Sequence, residues 1–185
     1  MTAHVPLDID QILTLVRPLS TSLKSMFHGE AHWRHVASIG LDLAARTPEC
    51  DPAVVILFAV FHDALRIGDD EDPPHGERGA ALARSLLLGR FGLSAAQLAL
   101  VETACGGHTG GGLSGDPTIG TCWDADRLTL RRVGTTPYAR YMSTAAGREA
   151  AVSGRRFAVA TDWSEISRRL GTAPRSASSL PPRRT

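Results

Sequence analysis

Apolar residues along this chain recur at helical spacing in several segments separated by proline, glycine and charge. Ile9, Ile12, Leu13 and Val16 share one face of a first helix that Asp8 can cap, running to about Arg17 before Pro18 interrupts it. From Glu30 to Arg46, Val36, Ile39 and Leu43 repeat at three- and four-residue intervals until Thr47-Pro48 ends the pattern. Asp51-Pro52 then supplies a cap and a proline at the first helical position, and AVVILFAVFHDALR continues apolar on every side through Arg66. A helix apolar all round belongs at the centre of a domain. That run closes on an imidazole, a carboxylate and a guanidinium, three groups that resist burial.

GDDEDPPHGERG reads as a loop, after which AALARSLLLGRF resumes helical periodicity. Ser94 and Gln97 fit a capping box for a helix through about Ala104. CGGHTGGGLSGDPT holds six glycines and is expected to be a mobile or tightly turned loop carrying His108. TIGTCWDADRLTLRRV is again helical, with Trp123 and Leu128 available to the core, and a short helix is expected from about Ser143. Arg155 to Leu170 fits no single pattern. From Thr172 the chain is proline, serine and arginine with nothing to bury, the composition of a disordered basic tail. The expected fold is all-α: a compact single-domain helical bundle over residues 1–171, followed by the tail at 172–185.

Composition agrees and narrows the partners. At 185 residues the chain is long enough for one real core, and 43% hydrophobic with 21% charged residues is ordinary for a globular protein. Twenty basic against nineteen acidic residues leave a net charge of +1, so no global field favours nucleic acid or an anionic membrane. The N-terminus lacks a basic segment followed by an apolar one, and no apolar run approaches the roughly 20 residues that span a bilayer. A soluble, cytoplasmic protein with no membrane partner is expected. Cys50, Cys105 and Cys122 show no C-x-x-C spacing, so neither a disulfide framework nor a zinc finger is indicated. Glycine fingerprints for nucleotides and the serine-hydrolase elbow are absent.

Histidine and aspartate carry the remaining signal. A hairpin through TPECDP would lay the 30–46 helix antiparallel to the central one, bringing His32 near its start to His62-Asp63 at the other's end. Two nitrogens and a carboxylate make half of an octahedral or five-coordinate metal site. The competing reading pairs Asp63 with Arg66 as a surface ion pair. Asp124 and Asp126 cannot share one helical face, so at most one joins the ligands, while the other, or Arg127, serves substrate or a supporting hydrogen bond.

The order of His32 in HGEAHWRHV, His62-Asp63 in VFHDALR and Asp126 in CWDADRL resembles the HD-domain superfamily of metal-dependent phosphohydrolases, with its pattern H, then HD, then a distant D. The match spans about Phe27 to Val133. The resemblance implies packed helices with metal at their ends, and carries His32, His62, Asp63 and Asp126 over as ligands of one divalent ion. His75 in DPPHGERGA and His108 in GGHTGG resemble the additional histidines of the two-metal branch, in which Asp63 would bridge the ions; one ion or two stays open. His35 departs from the pattern, because many relatives have arginine there.

The implied reaction is hydrolysis of a small phosphorylated substrate, a nucleotide or other phosphate ester or anhydride, by metal-activated water. Asp63, Arg66 and Arg127 are the candidate catalytic residues, the arginines as phosphate clamps, with Arg78 a weaker third. The ion would be manganese, iron, cobalt, nickel or zinc, with magnesium admissible. Two alternatives share these residues: a di-iron oxygenase of the same fold, and a sensor that holds metal or ligand without turnover. The acidic loop Asp69 to Asp72 reads as a solvated turn, or as a feature that repels polyanions from the entrance. Oligomeric state is open.

Overall fold

Eight α-helices run through the computed structural model, which describes residues 7–172. They are α1 (Ile9–Val16), α2 (Glu30–Ala44), α3 (Pro52–Phe61), α4 (His75–Leu87), α5 (Ala95–Gly107), α6 (Pro117–Leu128), α7 (Ala145–Ser153) and α8 (Trp163–Thr172). Short 3-10 turns lie at His108–Gly110, Thr129–Val133 and Ala139–Tyr141, and no strand occurs among the described residues. None of the described helices is long and apolar enough to cross a membrane. The basic tail expected at 172–185 lies outside the described residues, apart from Thr172 at the end of α8.

The helix starts follow from local chemistry. Asp8 accepts from the Gln11 amide, Asp51 from Ala53 and Val54, and Asp116 from Thr118 and Ile119, each satisfying amides that a helix leaves open. Proline follows two of these caps, where its missing N–H costs nothing. Ser94 and Gln97 form the reciprocal capping box. Helix α3 is buried along nearly its whole length, and α2, α4, α5 and α6 pack around it. The start of α2 meets the end of α3, so the two run antiparallel as the hairpin required.

Boundaries differ from the sequence expectation: α6, expected to run through Val133, ends at Leu128 and gives way to a 3-10 turn, and three others bear on the site. Helix α3 stops at Phe61, and residues 63–65 form a turn instead of continuing to Arg66. The cause lies in a distant segment: hydroxyls of Ser20, Thr21 and Ser22 donate to the carbonyls of Ala64, Arg66 and Asp63, each at 2.8 Å. The backbone thereby gains partners that further helix would have supplied. Secondly, HGERG is the opening of α4, with Pro74 as its cap residue, so His75 is helical. Thirdly, α5 continues through Gly106 and Gly107, and His108 follows in a tight, buried turn. A Cβ at Gly107 would stand 2.8 Å from the Trp123 ring, so glycine here permits close packing of α5 on α6. In the segment without a pattern, α8 begins at Trp163, a buried indole that donates to Glu30 of α2 at 2.8 Å.

Candidate metal centre

The packed helix ends converge on one point. His32 lies in the first turn of α2, His62 caps α3, Asp63 follows in the turn, His75 opens α4, His108 follows α5, and Asp126 sits in the last turn of α6. All except Asp126 are buried, and its side chain is 25% exposed, toward the cleft described below. The six side chains fall into two sets joined by Asp63. In the first, His32 Nε2 is 3.2 Å from His62 Nε2, 3.4 Å from Asp63 Oδ2 and 3.3 Å from Asp126 Oδ1. In the second, His75 Nε2 is 3.0 Å from His108 Nε2 and 3.1 Å from Asp63 Oδ1.

The hydrogen bonds on the outer ring nitrogens decide what this cluster accepts. The Nδ1–H of His62 points at the carbonyls of Phe58 and Ala59, both at 3.2 Å; that of His75 at Asp72 O, 2.5 Å; and that of His108 at Cys105 O, 2.7 Å. Three rings thus aim Nε2 lone pairs inward, beside two carboxylates that only accept. Facing acceptors such as His75 Nε2 with His108 Nε2 at 3.0 Å and with Asp63 Oδ1 at 3.1 Å repel unless a cation stands among them. Neighbouring ligands of a six-coordinate ion with bonds of about 2.1 Å are about 3.0 Å apart, so the donor set and its spacing fit a divalent metal.

Protons are the other cations that answer this arrangement. Burial pulls the His32 imidazole toward neutrality, but its hydrogen bonds to Asp126 and Asp63 outweigh that and raise its pKa. Burial opposes the charge on Asp63, yet the field of His62 and the hydrogen bonds of His108, His28 and His32 hold it well below the usual carboxylate range. Asp126 is lowered for the same reasons, chiefly through His32.

Above the cluster opens a cleft of about 680 Å3 lined by Arg66, Arg127 and Arg132 among others. Arg66 does not pair with the Asp63 carboxylate: it donates to Asp70 O at 2.8 Å and sets Nη1 3.0 Å from His75 Nδ1. Arg127 donates to Tyr141 O and Gly112 O, both at 2.7 Å, tying two loops at the rim. Arg78 is turned to Leu65 O and to an ion pair with Asp72. Asp124 is buried and accepts from Ser143 N, Thr144 N and Thr144 Oγ1 at 2.7–2.8 Å, anchoring α7. The acidic loop is a fastening as much as a rim: Asp69 accepts from Ser25 and Asp72 pairs with Arg78, while Glu71 and Asp72 line the cleft.

Two cleft residues received no role from the sequence. His28 Nδ1 lies 3.0 Å from Asp63 Oδ2, and its place four residues before His32 was the available signal. Arg132 donates to Thr129 and to the Phe27 carbonyl, a contact across the chain that no local pattern announces. The same guanidinium stands near His35, whose pKa is lowered to about 4, by burial first and by Arg132 next.

No protein-family model matches the chain. None of the curated proteins matches it either. Among solved structures, that of a predicted HD superfamily hydrolase from an uncultured Thermotogales bacterium aligns with a TM-score of 0.59 and 28% sequence identity, over 78% of this chain and 83% of that one. Identity at that level over most of both chains, together with the all-helical fold, goes beyond a shared bundle shape and supports membership of the HD-domain superfamily.

Proposed function

We propose that this chain is a metal-dependent phosphohydrolase that cleaves a small phosphate ester or anhydride. The observation that carries the reading is the convergence of inward Nε2 atoms and the Asp63 and Asp126 carboxylates on the floor of an arginine-lined cleft. His32, His62, Asp63 and Asp126 would hold one divalent ion, and His75, His108 and the second oxygen of Asp63 another. Bound ions supply Lewis acidity and bring the pKa of water toward neutrality. Arg66 and Arg127 add positive charge at the mouth with the N–H groups their carbonyl contacts leave over, favouring an anionic phosphoryl group. The cleft volume is in the range of small-molecule sites, which favours a nucleotide or phosphorylated metabolite over a polymer.

The test is metal analysis of protein purified without chelator, followed by an anaerobic phosphate-release screen over nucleotides, dinucleotides and sugar phosphates with manganese, cobalt or nickel. Phosphate release without dioxygen, lost on chelation and restored by metal, is the expected result. Dioxygen uptake coupled to substrate loss would favour the di-iron oxygenase, and stoichiometric metal with no turnover the sensor.

Two ions in separate sets give a further expectation. A Cβ at Gly76 would stand 2.4 Å from Cys105 O and 3.0 Å from His108 Nδ1, so Gly76→Ala must push α4 away from α5 and separate His75 from His108. Titration with cobalt should then show one class of site weakened about 10–100-fold and the other retained. A titration identical to that of the unaltered protein would refute the second site.

A further inference from the structure

His28 is held in place more thoroughly than a loop histidine requires. Its amide and that of Phe27 both donate to Ser25 Oγ, at 2.9 and 3.1 Å, and Ser25 Oγ in turn donates to Asp69 at 2.6 Å. Its carbonyl accepts from the indole of buried Trp33 at 2.9 Å, and the preceding carbonyl accepts from Arg132. Helix α2, the acidic loop and the turn after α6 therefore all fasten one short segment. The result is a ring at the cleft wall with Nδ1 3.0 Å from Asp63 Oδ2.

Asp63 is the side chain whose orientation matters most, because its two oxygens face different histidine sets. The carboxylate torsion of aspartate is broad and weakly determined by itself. The Asp63 carbonyl is fixed by Ser22 Oγ, but that contact leaves the carboxylate plane free to turn. A donor on Oδ2 from outside the two inward-facing sets settles the plane.

We infer that His28 is a positioning residue: its Nδ1–H holds Asp63 Oδ2 so that both oxygens of that carboxylate are presented to metal at once. The inference rests on the metal-centre reading above. Outer partners of ligating carboxylates typically contribute 10–100-fold to metal affinity.

The test compares His28→Ala, which removes the donor, with His28→Asn, whose side-chain N–H occupies nearly the position of Nδ1. Cobalt(II) is titrated into each full-length protein, recording affinity and the visible absorption of the bound ion, and the thermal midpoint is measured without metal. His28→Ala should bind cobalt about 10–100-fold more weakly with an altered spectrum. His28→Asn should restore both, with the metal-free midpoint of each variant close to that of the unaltered protein. Unchanged affinity and spectrum in His28→Ala would overturn the inference, and so would a lowered metal-free midpoint that accounts for the weaker binding and is not rescued by asparagine. Should the unaltered protein bind no cobalt, the metal-centre reading itself falls, an outcome distinct from either.

Discussion

Asp63→Asn is expected to abolish phosphate release and to weaken divalent metal binding by more than about a hundredfold, beyond what loss of an outer hydrogen-bond partner costs. The reason is topological: Asp63 is the carboxylate that reaches both histidine sets, with Oδ2 toward His32 and His62 and Oδ1 toward His75 and His108. Asparagine keeps the shape but replaces one oxygen by an N–H group, so one set meets a donor where it needs an acceptor. Charge is lost as well, and buried imidazoles that lean on this carboxylate must then share Asp126 alone. Metal content and single-turnover phosphate release measure the two effects separately. An Asp63→Asn protein that retained full metal and turnover would remove the basis of the proposed function.

The second large effect is expected in the core. Phe58→Ala should lower stability by about 3–5 kcal/mol, the usual cost of deleting a fully buried phenyl ring, and the denaturant midpoint measures it. Phe58 is 0% exposed, stacks on the His62 ring at a centroid distance of 4.8 Å and meets the His108 ring edge-on at 5.9 Å. It therefore walls one histidine of each set. Metal affinity should fall along with stability, whereas Leu57→Ala, at another fully buried position of α3 whose side chain has no ring to stack on a histidine, should lower stability with less effect on binding. Equal losses of affinity in both variants would show that the core supports the site only through overall stability.

Much of the helical frame was legible in the sequence because its starting signals are local. Asp8, Asp51 and Ser94 are caps whose chemistry needs no neighbour from elsewhere in the chain, and Asp116, which the sequence left in the glycine loop, caps α6 in the same way. The ends were less legible, and the end of α3 shows why: what stops it is a trio of hydroxyls some forty residues earlier, which resembles any polar loop. His75 looked like a loop residue because prolines and carboxylates surround it, yet Pro74 is compatible with a helix start. His32, His62 and Asp63 could be brought together by the hairpin argument alone. Arg66 could not be placed, since its partners are the Asp70 carbonyl and the His75 ring, and main-chain acceptors leave no trace in a pattern of side chains. Helical geometry allowed at most one of Asp124 and Asp126 into the cluster and the family resemblance chose Asp126, but only the packing of α7 shows what occupies Asp124.

The hydroxyl clamp of Ser20, Thr21 and Ser22 also bears on the order of assembly. These contacts join positions 41 to 45 residues apart, and they fix the turn that carries Asp63. Closing a loop of that length costs chain entropy before the contact returns anything, so such pairings mature after the local helices have formed. The turn has its final shape only once the amino-terminal segment has docked across the end of α3. Metal uptake in a refolding experiment would accordingly lag behind the recovery of helical circular dichroism, making the ion a reporter of the closing steps of folding and not a seed for the earliest ones.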